Sequence, residues 1–551
     1  MFGMNKPFSF QNSPNKLSQG KESVNPNAPG DDSDHGLLKS AWILSGMTLL
    51  SRLLGMIRDI VCASFFGTTW QWDAFIYAFM LPNFFRRLVG EGALSGVFVP
   101  IYTDLLNRKG VSEAHRFANV VLSFFGLSFL ILIFAVEVII FYLLKQSFLS
   151  PRLLLILDLL RILFPYLALM SFYSMSMGIL NSHRKFFGPS LGPVLLNLLW
   201  IAGVFFVGLQ TTMSVVVQLR WLAGFIILSG VLQVLCQFSF LKQVHFRFMW
   251  ILSKKQEGVG RALKLIFPVI LGFAVMQINL LVDMTLSFWV GPGANSSLWY
   301  GNRLMQFPLG VFAIALGTAL LPTIASQASQ KKMPEVSKSI TFALRMVFFI
   351  TIPCAIGLMV LGRPIIEILF ERGAFDADST NRTWAVLVCY SLGLFAYAGQ
   401  KILISGFHGI QNTKTPMKIA AIALLANIVL NLILMKPMGE AGLALATSLS
   451  GILQLVLFYV FFDLKVVKLA SKEIFYSVLR TFLIASLMGL VSIFCYQWII
   501  QMGDFATTLT KALSLVVSIF IGALMYVILF YISKGKELNE TFLLLKRRKV
   551  S

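Results

Sequence analysis

The chain has 551 residues, of which 57% are apolar and 13% charged, with a mean hydropathy of +0.79. A membrane-spanning helix consumes about 20 mostly apolar residues, so the composition holds material for about 15 spans and excludes a soluble globular protein. The net charge of +22, from 46 Lys and Arg against 24 Asp and Glu, would suggest a nucleic-acid partner in a soluble protein. In a membrane protein the same excess can be loops retained at the cytosolic face.

Residues 1–36 are rich in Asn, Ser, Pro, Gly and Lys and carry no apolar run, which predicts a disordered cytosolic tail and no signal peptide. Apolar segments then recur to about Ser533. We place fourteen spans near 37–64, 73–105, 116–144, 153–181, 187–208, 221–241, 265–290, 297–327, 339–361, 383–408, 417–435, 440–463, 474–501 and 512–533. The expected fold is an all-α polytopic membrane protein. An even number of spans puts both termini on one side. With the N-terminus in the cytosol, inner segments carry 29 Lys and Arg and outer loops 8, which orients the chain and removes the argument for nucleic acid. Nine basic residues remain within or at the edges of the spans: Arg52, Arg58, Arg86, Arg87, Arg161, Arg303, Arg345, Lys401 and Arg480.

Residues 81–110 and 303–332 resemble each other at an offset of 222, with Phe85/Phe307, Ala93/Ala315, Leu94/Leu316, Pro100/Pro322 and Lys109/Lys331 coinciding. Each copy follows a similar segment, "RDIVCASFFG" and "VDMTLSFWVG". Six spans separate the copies, so the repeat predicts two parallel lobes, spans 1–6 (37–244) and 7–12 (260–466). Spans 13 and 14 (474–533) form an appendage, followed by a basic cytosolic tail at 534–551.

The five Cys are dispersed in or beside apolar runs, the five His form no metal-ligand pattern, and no P-loop, G-x-S-x-G or dinucleotide motif occurs. Enzyme chemistry has no visible home. Charges inside spans are costly and therefore face a cavity or a partner. In span 1, Arg52 and Asp59 share a stripe and Arg58 lies about 120° away. Span 2 places Arg86, Arg87 and Glu91 among Pro82, Gly90 and Gly92, a pattern that bends a helix and opens its backbone. Span 8 carries Arg303, with Gln306 one turn later on the same face. Arg52, Arg58 and Arg303 read as cavity-lining. Arg86 and Arg87 have snorkelling to the headgroups as an alternative, and Lys401, deep in "LFAYAGQKILISGF", reads as a cavity residue. Asp158 and Arg161 read as an intrahelical pair, and Arg345 and Arg480 as snorkelling residues. The predominance of Arg at depth implies an anionic cargo, phosphate or pyrophosphate. In the second half, Asn279, Asp283, Asn427, Asn431 and Thr447 bring together oxygens suited to a hard cation such as Na⁺, or else amides and hydroxyls that bond between helices.

The blocks "SGMTLLSRLLGMIRDIVCASFFG", "DAFIYAFMLPNFFRRLVGEGALSGVFVPIY", "YGNRLMQFPLGVFAIALGTALLPTIAS", "LFERGAFDADST" and "NTKTPMKIA" resemble the MurJ (MviN) family of lipid II flippases, in the multidrug/oligosaccharidyl-lipid/polysaccharide exporter superfamily. The resemblance implies a fourteen-helix transporter of the bacterial inner membrane with two six-helix lobes around a cationic cavity and a lipid-tail groove at spans 13 and 14. The cargo it implies is undecaprenyl-pyrophosphate-linked disaccharide pentapeptide. Carried over, the cavity arginines fall on Arg52, Arg58, Arg86 and Arg303, and the acid near the outer end of span 2 on Asp73. Asp59 would hold an arginine in register, and Glu91, Gln306 and Lys401 are further charge or gating partners. The sodium site of similar members maps to Asp283, Asn427, Asn431 and Thr447. Asn431, Gln306 and Asn302 stand where some members have acids, which weakens the charge of the sodium site and any gating that depends on the acid at 306. No cofactor is expected beyond this ion; the membrane potential is the expected driving force, and other cell-wall synthesis proteins are candidate partners. Rival readings are an exporter of another lipid-linked oligosaccharide or of a drug, or a non-transporting cell-wall scaffold.

Overall fold

The computed structural model describes residues 31–88, 96–146, 149–210, 212–253, 255–310, 314–502, 507–538 and 540. Most of the expected N-terminal tail, Glu91 and most of the basic C-terminal tail lie outside these residues. Among the described residues there is no β-strand. In chain order the helices are α1 (Asp31–Phe66), α2 (Trp70–Arg86), α3 (Val99–Lys109), α4 (Val111–Leu144), α5 (Pro151–Leu163), α6 (Tyr166–Ser182), α7 (Phe187–Gly208), α8 (Val215–Gln243), α9 (Val259–Val290), α10 (Ala294–Pro308), α11 (Ile314–Ser329), α12 (Met333–Phe370), α13 (Ala377–Leu392), α14 (Leu394–Gly409), α15 (Lys414–Lys465), α16 (Ser471–Met502) and α17 (Thr508–Ile532). The first helix begins at Asp31, inside the segment expected to be irregular.

Every expected span falls on helix, but six are divided or joined. Spans 2, 4, 8 and 10 are each two helices, and spans 11 and 12 run together as α15. Pro437 and Gly439 break α15, the glycine standing at φ 59°, ψ −135° where a side chain would be strained. By length and apolarity seven described helices qualify as membrane spans, and nine if the bent pairs α5–α6 and α13–α14 each count as one. The expected fourteen goes beyond that measure: α15 counts once for two expected spans, α2, α3, α10 and α11 are too short to qualify singly, and α1 and α9 are not among the qualifying helices.

The internal repeat has a structural counterpart. α2 ends at Arg86 and α10 at Pro308, the same offset of 222, and both continue into wider, π-type turns at 87–88 and 309–310. Pro82 lies inside α2, and Pro308 closes α10; each removes a helix hydrogen bond there. Helix starts follow their side chains. Thr69 accepts from the Trp72 N–H, Ser150 from Leu153 N–H ahead of Pro151, and Thr507 from Thr510 N–H.

Packing groups α1–α8 as one lobe and α9–α15 as the other, with α16 laid along α12 and α17 along α16. The first lobe is centred on stacked and edge-on rings of Phe66, Trp72, Phe75, Phe79 and Trp200. A second apolar cluster joins α12, α14, α15, α16 and α17 around Phe349, Phe407, Phe458, Phe462 and Phe530. The outward faces are apolar too: Phe134, Phe494 and Tyr531 are more than two-thirds exposed, as suits a surface solvated by acyl chains rather than by water.

Candidate functional site

α1 and α10 face each other across the seam between the lobes, and their arginines reach past each other. Arg52 and Arg303 line a cavity of about 260 Å³ together with Met56, Gln306, Phe307 and Leu309. A methyl group built on Gly55 would fall on the Arg303 guanidinium, and one built on Gly310 would fall on that of Arg52. Each arginine therefore rests on a glycine of the opposite helix, and the absence of side chains there lets two cations lie close to the interlobe seam.

Asp59 organises this pair of helices. Arg58 donates to its Oδ1 through Nε (2.9 Å) and through a terminal nitrogen (2.6 Å), while Arg303 Nε stands 3.0 Å from its Oδ2. Arg58 is only 6% exposed; it also donates to Asn197 Oδ1 and lies 4.6 Å from the centre of the Trp200 ring. Asn197 in turn donates to the Ser51 carbonyl. Arg58 is thus turned into the first lobe, whereas Arg303 is one-third exposed to the cavity. Arg86 lies at the end of α2, donating to Asn83 Oδ1 at 2.8 Å, and is not among the residues lining this cavity. Gln306 lines the cavity and donates to Asn302 one turn back. Asn302 therefore keeps Gln306 engaged within its own helix.

At one end of the bundle the lobes are sealed. Asp73, fully buried, accepts from the backbone N–H groups of Gly293 (2.6 Å) and Ser296 (2.8 Å) and from the Ser296 hydroxyl, so α2 caps the N-terminus of α10. Asn295 stands at offset 222 from Asp73, and its amide donates to the Asp73 carbonyl at 3.2 Å. Beside this cap, the Ala374 N–H donates to the Ser64 carbonyl at 2.8 Å and the Thr68 and Ser379 hydroxyls lie 2.7 Å apart.

The second group converges in the other lobe. Asp283, 6% exposed, accepts from Asn431 Nδ2 (2.6 Å) and Thr447 Oγ1 (2.9 Å), and Asn431 also donates to Asn427 Oδ1 (2.9 Å). Among the described residues Asp283 has no basic partner, and Asn431 Oδ1 is buried without a hydrogen bond. A buried carboxylate with neutral neighbours and an unsatisfied amide oxygen beside it fit a monovalent cation. Lys401 and Asn279 line a separate cavity in the same lobe.

Two charge assignments change. Asp158 and Arg161 do not pair: Arg161 reaches Glu137 on α4 at 2.9 Å, and Asp158 receives Arg220 from α8 at 2.6 Å. Interhelical partners lay closer than the i, i+3 neighbour. Arg345 does not snorkel; it is buried against Glu537 at 2.8 Å. An apolar groove of about 350 Å³ lies between α12, α13, α14 and α16, lined by Ile352, Met359, Phe395, Phe475 and Phe482. α17 does not line it. One relation escaped sequence reading although its signal was present: in the aligned segments "RDIVCASFFG" and "VDMTLSFWVG", Asp59 and Asp283 occupy the same place, so one carboxylate anchors each polar group.

A helical membrane protein with two repeated lobes, a cationic seam between them and a seal at one end has the architecture of an alternating-access transporter. The fold is shared with the inward-facing conformation of a multidrug resistance MATE family transporter of the MOP superfamily (TM-score 0.61, 13% identity, covering 79% of this chain and 98% of that one). A solved structure described as lipid II flippase MurJ, inward closed conformation, is more similar, with TM-score 0.72, 30% identity and coverage of 89% and 98%. The model of the lipid II flippase MurJ family matches residues 62–515, and the chain belongs to that family. A probable lipid II flippase MurJ of Vibrio cholerae is 36% identical over 437 residues, 77% of this chain and 82% of the relative.

Proposed function

We propose that this chain is a lipid II flippase that carries the undecaprenyl-pyrophosphate-linked peptidoglycan precursor from the inner to the outer leaflet of the bacterial cytoplasmic membrane by alternating access. The observation that carries the reading is the placing of Arg52 and Arg303 on opposite lobes against one cavity. Two guanidinium forks at an interlobe seam match the oxygens of a pyrophosphate. Arg58 holds Asp59, which holds Arg303, so that the cargo takes over a guanidinium already oriented. Arg86 acts at the end of α2, where the helix turns wider. The prenyl tail stays in lipid, along the apolar groove of α12–α14 and α16.

All fourteen expected spans cross the bilayer, both termini are cytosolic, and the seal formed by Asp73, Ala374 and Ser379 closes the outer side. The distribution of basic residues, 29 against 8, supports this orientation. Outward movement of an anion is then favoured by an inside-negative potential, by about 2.3 kcal/mol per charge per 100 mV. Asp283, Asn427, Asn431 and Thr447 would hold a sodium ion, which would supply the charge balance that the buried carboxylate lacks. The chain's own part is to present Asp283 between amide and hydroxyl groups and exclude lipid from it.

Flipping of lipid II in proteoliposomes tests the reading. Removing a charge-assisted contact costs about 1.5–3 kcal/mol, so Arg52→Ala and Arg303→Ala should each lower transport by at least about tenfold at unchanged protein abundance. Wild-type rates in both variants would defeat it.

A further inference from the structure

The cavity around Lys401 is separate from the arginine seam: its volume is about 160 Å³ and it shares no lining residue with the Arg52–Arg303 cavity. It lies among α9, α14 and both halves of α15. At about 30 Å³ per water it has room for about five waters, or for the carboxylate end of a peptide.

Lys401 stands eight residues from the last residue of α14, about 12 Å along the axis, too far for its ammonium to reach that end. The side chain is exposed to the cavity, and among the described residues it has no ion-pair partner. An unpaired ammonium at this depth is costly unless water or an anion meets it. Asn279 of α9, which lines the same cavity, has its Oδ1 buried without a hydrogen-bond partner. Gln454 adds a third polar group, while Gln400 is committed to the Gly451 carbonyl at 2.7 Å. Thr447 lines the cavity and donates to Asp283, so the acid is screened from the cavity by a hydroxyl already engaged. Lys401 therefore requires an anion and Asn279 requires a donor. A phosphate would satisfy the first and repel the second; a sugar would satisfy the second and leave the ammonium unpaired. A peptide supplies both a carboxylate and N–H groups.

We propose that this chamber receives the carboxylate-bearing peptide of the cargo, with Lys401 pairing with a carboxylate and Asn279 Oδ1 accepting from a peptide N–H. The assignment rests on the lipid II reading above and adds a second recognition point to it, distinct from the pyrophosphate seam.

The test uses the full chain in proteoliposomes with two lipids, lipid II and the undecaprenyl-pyrophosphate disaccharide without its peptide. Lys401→Gln should weaken binding of lipid II by about tenfold, the loss of one charge-assisted contact, and leave the peptide-free lipid unchanged. Lys401→Arg should retain the preference, and Asn279→Ala should lower binding of the peptide-bearing lipid alone. Lipid II with its peptide carboxylates amidated should bind the wild type as weakly as lipid II binds Lys401→Gln. Equal effects on the two lipids, or no effect on either, would overturn the proposal while leaving the flippase reading intact. A wild-type protein that binds neither lipid would overturn both.

Discussion

Asp59 and Arg303 tie the lobes together, the guanidinium Nε on α10 standing 3.0 Å from a carboxylate oxygen on α1. The same carboxylate holds Arg58, so one acid balances two cations. Replacing Asp59 with Asn leaves Arg58 buried beside a neutral group, at a cost of about 3–5 kcal/mol. Asp59→Asn should therefore lower thermal stability in detergent and abolish flipping. A double-mutant cycle with Arg303→Gln should give a coupling of about 1–3 kcal/mol. Additive losses would mean that the pair contributes nothing across the seam.

Gly310 gives a gentler perturbation of the same seam. Its missing side chain leaves room for the end of Arg52, a flexible group that can move aside at little cost to the fold. Gly310→Ala should thus leave the melting temperature nearly unchanged while lowering affinity for lipid II, because the guanidinium loses its resting place. Parallel thermal and binding measurements separate these effects. A variant that unfolds without changing affinity in its folded fraction would contradict the role given to the glycine.

The bend at the end of α2 could be read from Pro82, Gly90 and Gly92, because helix geometry is a local property; the matching turn after α10 was not read, since Pro308 and Gly310 stand at other positions of the repeat. The equivalence of Asp59 and Asp283 was also present in the repeat, but two short apolar segments offer few identities to align. Partner choice was not legible. Arg161 met Glu137, 24 residues away, and Arg345 met Glu537, 192 residues away, since interhelical packing brings together side chains that no sequence period relates. The resting of each arginine on a glycine across the seam likewise depends on how the two lobes are set against each other.

The sealed end offers a test of direction. Gly373 stands at φ +61°, and a methyl group there would run into the Ser64 carbonyl oxygen, backbone that cannot step aside. Gly373→Ala should hold the lobes apart at this end. Cysteine pairs placed at Thr68 and Ser379, whose hydroxyls are 2.7 Å apart, should crosslink readily in the parent and poorly with Gly373→Ala. Equal crosslinking would show that the seal does not depend on this approach.

Asp376 caps α13 from the adjoining loop. The Ser379 backbone N–H, at 2.8 Å, and then its hydroxyl hold this carboxyl below its ordinary value of 3.8. Because the folded value is the lower one, the contribution to stability is fully present above about pH 4 and is lost as pH falls through the depressed value. Asp376→Ala should cost about 1 kcal/mol at neutral pH. The gap from the parent should close in more acidic buffer, as thermal melts across that range would register. A gap that stayed constant with pH would assign the loss to packing instead of the cap.

Asn431 sets the charge of the oxygen cluster around Asp283. With one carboxylate the cluster can balance a single positive charge; Asn431→Asp adds a second at hydrogen-bonding distance, since Asn431 Nδ2 lies 2.6 Å from Asp283 Oδ1. Without a cation the two acids repel and must share a proton, so the variant should be less stable than the parent in sodium-free buffer. Sodium should restore it, with a rise in melting temperature that grows with ion concentration, as expected for a ligand bound only by the folded state. Potassium or choline at equal ionic strength controls for screening. Asp283→Asn removes the remaining charge and should be insensitive to the choice of cation. If the parent and both variants respond alike to all three salts, the oxygens at Asp283, Asn427 and Thr447 serve interhelical bonding alone.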